Sequence, residues 1–161
     1  MTIIFPRNTS RLSPNPMLLY CLSQEIEIDP LPVAVLWVET TLRPISIRIA
    51  EYIYFKVCMI LALNQAKQMT VGLAQMKVWL WEEFLKKEFG RAPSIADWEN
   101  PVINFYAVKW YLLQNNASSS LLDISRIYTG QVNRYYAILL EEALMLLNIR
   151  ASGGHCMCLS G

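Results

Sequence analysis

Histidine and charge are both scarce in this chain of 161 residues. The single histidine, His155, lies near the C-terminus, so the rest of the sequence offers no imidazole for a metal centre or for acid–base chemistry. Charged residues make up 17% of the chain and the formal net charge is +1, whereas nucleic-acid binding calls for a strongly basic patch. We therefore expect no metal, no cofactor and no nucleic-acid partner.

Long uncharged apolar runs are lacking as well. A membrane-spanning helix needs about 20 predominantly apolar residues. The longest apolar runs are residues 32–38, which are too few, and residues 53–63, which Lys56 interrupts. Residues 1–16 have neither the basic start nor the apolar block of a secretory signal. The sequence thus predicts a protein that is not integral to a membrane and that has no classical signal peptide.

The four cysteines do not establish a disulfide framework, because a chain of this length with 54% apolar residues can bury a core without one. Cys21 and Cys58 fall in apolar helical patterns, where free cysteine behaves as a small hydrophobe. Cys156 and Cys158 lie beside His155, and three candidate ligands without a second pair at zinc-like spacing are too few for a structural zinc site. We predict a flexible tail over residues 151–161.

Helical periodicity dominates the remainder of the chain. We predict one mainly-α domain over residues 16–150, preceded by an irregular lead over residues 1–15. The predicted helices cover residues 16–25, 33–40, 45–66, 74–89, 102–114, 121–127 and 131–149, with a turn or strand fragment at 67–73 and a capping box at Ser94 to Asp97. Trp79 is expected to face inward, and in the closing helix Tyr135, Ile138 and Leu139 fall on nearby phases.

One acidic residue stands out because it closes an apolar helix. Glu39 follows Val35-Leu36-Trp37-Val38, and apolar surroundings raise a carboxyl pKa by disfavouring the charged form. A carboxylic acid that stays protonated near neutral pH is what protonation of a glycosidic oxygen requires. A competing interpretation places Glu39 at the surface, paired with Arg43 four residues on.

Several short motifs follow Glu39-Thr40 in a particular order. Gly72-Leu73-Ala74-Gln75 opens a helix, Asn100-Pro101 begins another that carries Tyr106 and Tyr111, and Tyr128-Thr129-Gly130 precedes the last. This order resembles the soluble lytic transglycosylase and goose-type lysozyme group, over residues 32–147. The resemblance implies a lysozyme-like fold with a small turn or hairpin beside the cleft.

The resemblance also implies roles for individual residues. Glu39 would be the single catalytic acid for the MurNAc–GlcNAc bond of peptidoglycan. The residues implied in substrate binding are Thr40, Gly72, Gln75, Tyr106 and Tyr128. Two of these assignments have plain structural alternatives, since Gln75 fits an ordinary exposed amide and Tyr128 a core aromatic.

The chain departs from the family pattern in three ways. The separation of Glu39 from Gly72 is long and leaves room for an extra helix, and Thr129 replaces the usual asparagine of the tyrosine turn. The family's members act outside the cytoplasm, so without an export signal this chain would reach the periplasm or cell envelope by secretion or phage machinery.

A second carboxylate is scarce. Between Glu39 and Asp97 only Glu51 is a serious candidate, because Glu82, Glu83 and Glu88 fall on the polar side of a helix. Both inverting and retaining hydrolases normally use two carboxylates, so the scarcity favours a lytic transglycosylase. The competing function is a non-catalytic helical interaction module with a lysozyme-like fold, for which the seven methionines and high apolar content would suit a partner-binding groove.

Overall fold

The computed structural model describes residues 11–13, 15–117 and 120–153, of which residues 149–153 are described in their backbone only. Within these residues the chain is mainly helical, as predicted. The helices are α1 Pro16–Cys21, α2 Glu25–Ile28, α3 Pro30–Leu42, α4 Ile45–Ile60, α5 Val78–Phe89, α6 Ile95–Glu99, α7 Pro101–Gln114, α8 Leu121–Thr129 and α9 Arg134–Gly153. A short 3₁₀ helix over Asn64–Gln68 precedes a hairpin of β1 Thr70–Val71 and β2 Met76–Lys77.

Helix α3 forms the centre of the core. Its residues 32–40 are all buried, and it packs against α7 and α9. Pro30 suits the first turn of a helix, where its missing N–H costs nothing. The helix ends where the Arg43 amide donates to the Glu39 carbonyl, just before Pro44. The described part of the lead packs on this end, where Leu12 is buried and the Ser13 carbonyl accepts from Trp37 Nε1.

Helix α9 presents a different face to the core from the one suggested by the sequence. Tyr135 and Ile138 are exposed, and the buried residues of α9 are Tyr136, Ala137, Leu139, Leu140, Ala143 and Leu147. All of these except Ala137 follow helical spacing from Tyr136. The helix also continues to Gly153, past the predicted boundary at residue 150. The tail residues His155, Cys156 and Cys158 lie outside the described part of the chain.

The helix predicted over residues 74–89 begins later than expected. Residues 70–77 form an antiparallel hairpin in which Thr70 pairs with Lys77 and Val71 with Met76, and α5 starts at Val78. The expected inward position of Trp79 is wrong, because its side chain is 39% exposed. The capping box is confirmed, since Ser94 and Asp97 bond each other's backbone amides.

Helix α4 is the extra helix for which the long Glu39-to-Gly72 separation leaves room. It ends at Ile60 rather than at residue 66, and it contacts the 3₁₀ helix and β1. Within the described ranges, no helix combines the length and the apolar character that crossing a membrane requires.

Candidate active site

Glu39 lies in the last turns of α3 and is 8% exposed. Its Oε1 accepts a hydrogen bond from the Tyr136 hydroxyl at 2.6 Å. The acid and its donor are 97 residues apart in the chain, and the packing of α3 on α9 brings them together. The fold therefore places a carboxyl group in an apolar interior, where it is hydrogen-bonded to the Tyr136 hydroxyl.

Burial determines the protonation state of Glu39. Removal from water disfavours the carboxylate and raises the pKa of Glu39 to about 7, although the Tyr136 hydrogen bond and the positive charge of Arg43 partly lower it. The competing surface pair with Arg43 is not formed, because the Arg43 guanidinium binds Glu51 Oε1 at 2.7 Å. Glu39 is thus a carboxyl group whose pKa lies near neutral pH, so that most of it is protonated below pH 6.

Two further tyrosines, Tyr128 and Tyr111, follow Tyr136 in a row of ring contacts. The Tyr128 ring lies parallel to the Tyr136 ring at 6.3 Å, and Tyr111 meets Tyr128 edge-on at 5.6 Å. The Tyr128 hydroxyl is buried and has no hydrogen-bond partner among the described residues. Burial and the nearby Glu39 charge both raise the pKa of Tyr128 well above its usual value. A neutral phenol without a partner therefore lies close to the acid.

The turn of the hairpin positions Gln75. Gly72 has φ +84° and Gln75 φ +48°, and a non-glycine residue in the left-handed region is uncommon and held there by its surroundings. The Gln75 side-chain amide donates to the Gly72 carbonyl at 3.0 Å and to Glu51 Oε2 at 3.3 Å, while its oxygen accepts from Thr70 Oγ1. The Gln75 side chain is therefore fixed rather than a free surface amide.

A chain of charged and polar contacts links the turn to the acid. Gln75 binds Glu51, Glu51 binds Arg43, and Arg43 closes the helix that carries Glu39. The described residues include no direct hydrogen bond between Glu39 and Gln75. Both oxygens of Glu51 are engaged, one by the guanidinium and one by the amide.

Asn104 supports the hairpin turn, although none of the sequence motifs predicts this role. It is fully buried on α7, its Oδ1 accepts from the Ala74 amide at 2.9 Å, and its Nδ2 donates to the carbonyls of Asp97, Trp98 and Asn100. Asn104 thus joins the turn to α6 and α7. The sequence does contain a signal for this role, because Asn104 lies among the apolar residues of a helix. An amide buried there needs hydrogen-bond partners.

Comparison with protein-family models, curated proteins and solved structures finds no match for this chain. The likeness to lytic transglycosylases and goose-type lysozymes therefore depends on the motifs quoted above, and the chemistry has to be argued from the site itself.

Two other predicted substrate-binding residues have distinct surroundings. Thr40 Oγ1 donates to the carbonyls of its own helix and accepts from Asn15 Nδ2 at 3.1 Å, so it fastens the chain before α1 to the end of α3. Tyr106 is exposed on α7 and its ring meets Phe105 edge-on. Among the described residues Tyr106 has no hydrogen bond to Glu39, Gln75 or Tyr128.

A cavity of about 260 Å³ opens at the opposite end of α3 from Glu39. It is lined by Asp29, Leu31, Pro32, Lys109, Leu112, Leu113, Asn116 and Ala117. None of the predicted site residues contributes to its lining, so we do not associate it with the chemistry of Glu39.

The raised pKa of Glu39 predicts a pH-dependent stability. Between the usual pKa of 4.5 and the folded value of about 7, the folded chain holds a proton that the unfolded chain has released. Stability therefore falls as pH rises through this window, by about 3 kcal/mol in total. Glu39→Gln has no such titration, so urea unfolding at pH 4, 6 and 8 should show the wild-type chain losing this amount relative to the variant. Parallel pH profiles for the two proteins would contradict the raised pKa.

Proposed function

We propose that this protein cleaves the MurNAc–GlcNAc glycosidic bond of peptidoglycan with Glu39 as its acid. The observation that carries the proposal is the burial of the Glu39 carboxyl group against the Tyr136 hydroxyl, which raises the pKa of Glu39 to about 7. A glycosidase acid must be protonated at working pH and is most effective when its pKa lies near that pH. Burying a carboxyl group costs free energy. If this position had only a structural role, an apolar residue there would avoid that cost.

The proposed reaction uses one carboxyl group twice. Glu39 gives its proton to the glycosidic oxygen while the bond from that oxygen to C1 of MurNAc breaks. The resulting Glu39 carboxylate then takes the proton of the MurNAc 6-hydroxyl as that oxygen bonds to C1. The products are a free hydroxyl on the leaving sugar and a 1,6-anhydro ring, and Glu39 ends protonated as it began.

The two tyrosines suit different parts of this cycle. The Tyr136 hydroxyl donates to Glu39 Oε1 and so stabilises the carboxylate that forms after the first proton transfer. The Tyr128 hydroxyl has no hydrogen-bond partner within the part of the chain that the structure describes, and a buried polar group without one is unfavourable unless a ligand supplies it. We assign Tyr128 to the N-acetyl group or a hydroxyl of the bound glycan.

The surroundings of Glu51 favour the transglycosylase over a hydrolase. A second carboxylate would have to attack C1 or activate water, whereas Glu51 has one oxygen on Arg43 and the other on Gln75. Its contacts suit a residue that holds Gln75 in place. Gly72 and Gln75 would then form the wall of the cleft that contacts the glycan.

A non-catalytic interaction module is the second candidate function. It is favoured by the solvent-facing isoleucines of α4, which are typical of a surface that meets another apolar surface. Such a module does not account for the protonated Glu39 or the unpartnered Tyr128, which is why we rank it second.

The identity of the products tests the proposal. Purified peptidoglycan is incubated with the wild-type chain and the muropeptides are weighed by mass spectrometry. We expect products lighter by one water than those of a lysozyme, the signature of a 1,6-anhydro end. Hydrated reducing ends would mean that the protein is a hydrolase and not a transglycosylase. Glu51 would then be the candidate for the second carboxylate. No products from a folded chain on several wall types would overturn catalysis and leave the interaction module.

A further inference from the structure

Helix α4 turns a large apolar face to solvent. The side that meets the protein carries Arg48, Glu51 and Tyr52, which bond to Glu99, Gln75 and the end of α3, together with the buried Phe55 and Cys58. The side that meets solvent carries isoleucines. A helix on the surface of a globular protein normally turns its apolar stripe to the core and its polar residues to water.

The exposed apolar residues form one continuous stripe. Ile45, Ile49, Ile53, Val57 and Ile60 recur at spacings of four and three, so they share one face. All five are exposed, with Ile53 at 62% and Ile60 at 82%. The stripe continues past the helix end through Leu61 and Leu63, which are also exposed.

This surface concentrates exposed apolar side chains in one place. The stripe residues and the neighbouring Tyr54 and Met59 are each at least 39% exposed, whereas exposed hydrophobic residues on a monomer are usually scattered singly. Apolar patches of this kind mark contact with a protein or with a membrane.

The charges around the stripe distinguish these partners. Three of the five basic residues in 43–77 are ion-paired, Arg43 with Glu51, Arg48 with Glu99 and Lys67 with Glu82, and the other two are Lys56 and Lys77. The segment has one acidic residue, Glu51. That single carboxylate is turned inward to Arg43 and Gln75. Lys56 lies within the stripe and is exposed. The outer face of α4 is therefore apolar with one positive charge, that of Lys56, and it has no carboxylate of its own.

A second copy of the chain fits this face poorly. In a two-fold contact the same patch meets itself, so the stripe would bring Lys56 towards its own copy with no acidic residue of α4 to pair it. An anionic lipid surface fits both features, because apolar side chains enter the boundary between headgroups and acyl chains while lysines meet the phosphates.

We propose that α4 binds the surface of an anionic phospholipid bilayer, lying in its plane with the stripe inserted. The proposal is independent of catalysis by Glu39. Lys56 reaches outward along the stripe to the headgroups, as long basic side chains do at interfaces. The arrangement would hold the protein on the membrane with the opposite face of α4, which carries Glu51, directed towards Gln75.

Flotation with lipid vesicles tests the proposal without any glycan. The full chain is mixed with vesicles of phosphatidylcholine alone or with phosphatidylglycerol added, and the bound fraction is measured. We expect binding to the anionic vesicles that weakens as salt is raised. Ile53→Glu should lower the partition coefficient at least tenfold, whereas Lys56→Gln should lower it about fivefold, since one lysine near such a surface contributes about 1 kcal/mol.

The matched control is Leu113→Glu, the same kind of change at a residue of α7 that is 68% exposed. It should bind the vesicles as the wild-type chain does. Circular dichroism establishes that each variant is folded, and Ile53→Ser replaces Ile53→Glu if the latter is not. Equal binding to neutral vesicles, an equal loss in Leu113→Glu, or no binding by the wild-type chain would overturn the proposal. A dimer in light scattering that Ile53→Glu dissociates would also overturn it and assign the stripe to a second copy.

Discussion

Replacing Glu39 by Gln is expected to lower glycan cleavage by about 10²–10⁴-fold, the range typical for loss of a general acid. Glutamine has nearly the shape of a protonated glutamic acid, and its carbonyl oxygen can still accept from the Tyr136 hydroxyl, which lies 2.6 Å from Glu39 Oε1. It has no proton to give to the leaving oxygen. The variant should therefore fold normally, and it should be no less stable than the wild-type chain at pH 8, where wild-type Glu39 is mostly ionised.

The measurement is the initial rate of muropeptide release at equal protein concentration. Glu83→Gln, the same change at an exposed position of α5, is the matched control and should cleave at the wild-type rate. The wild-type rate should also fall above a pH of about 7, because only the protonated form of Glu39 starts the reaction. Full activity in Glu39→Gln would remove Glu39 from the mechanism, and an equal loss in both variants would point to a general effect on folding.

The position of Glu39 is the part of the site best anticipated from sequence. The apolar run before it predicts burial at the end of a helix, and the structure has α3 buried at residues 32–40. Its donor could not be anticipated in the same way. Tyr136 lies 97 residues away, and the apparent phase of the closing helix favoured Tyr135, its exposed neighbour.

The hairpin illustrates how tertiary contacts override a local pattern. Residues 74–77 continue the helical periodicity of α5, yet the turn is held by contacts from other elements. The Leu73 amide donates to the Trp98 carbonyl and the Ala74 amide donates to Asn104 Oδ1. Partners that lie about 25–30 residues further along the chain are not visible in a window of helical length.

Helix α4 shows a further limit of periodicity. The spacing of its isoleucines predicts a helix with one apolar face, and the helix is present at Ile45–Ile60. Periodicity does not say which way that face points. The side of α4 that packs on the core is the opposite one, where Phe55 and Cys58 are buried. On that side Arg48 bonds to Glu99 and Tyr52 stacks on Trp98.

Gly72→Ala is expected to destabilise the chain by about 2–5 kcal/mol. A methyl group there would lie 2.8 Å from the Trp98 carbonyl oxygen and 3.3 Å from both Asn104 Oδ1 and the Trp81 ring. The backbone also has φ +84°, which costs a non-glycine residue roughly 1–2 kcal/mol. The remainder comes from overpacking, at roughly 1–3 kcal/mol, because the nearest atom belongs to the backbone and cannot rotate away.

Gly130→Ala separates these two causes. Gly130 has φ +77° but no atom within 4 Å of the added methyl group, so it should lose only the backbone part. Urea unfolding of both variants at one pH measures the difference, and we expect Gly72→Ala to be the less stable by at least about 1 kcal/mol. Equal losses would mean that the turn can move away from Trp98. In that case Gln75 would not be held by the packing of Gly72, and its proposed place in the wall of the cleft would lose its support.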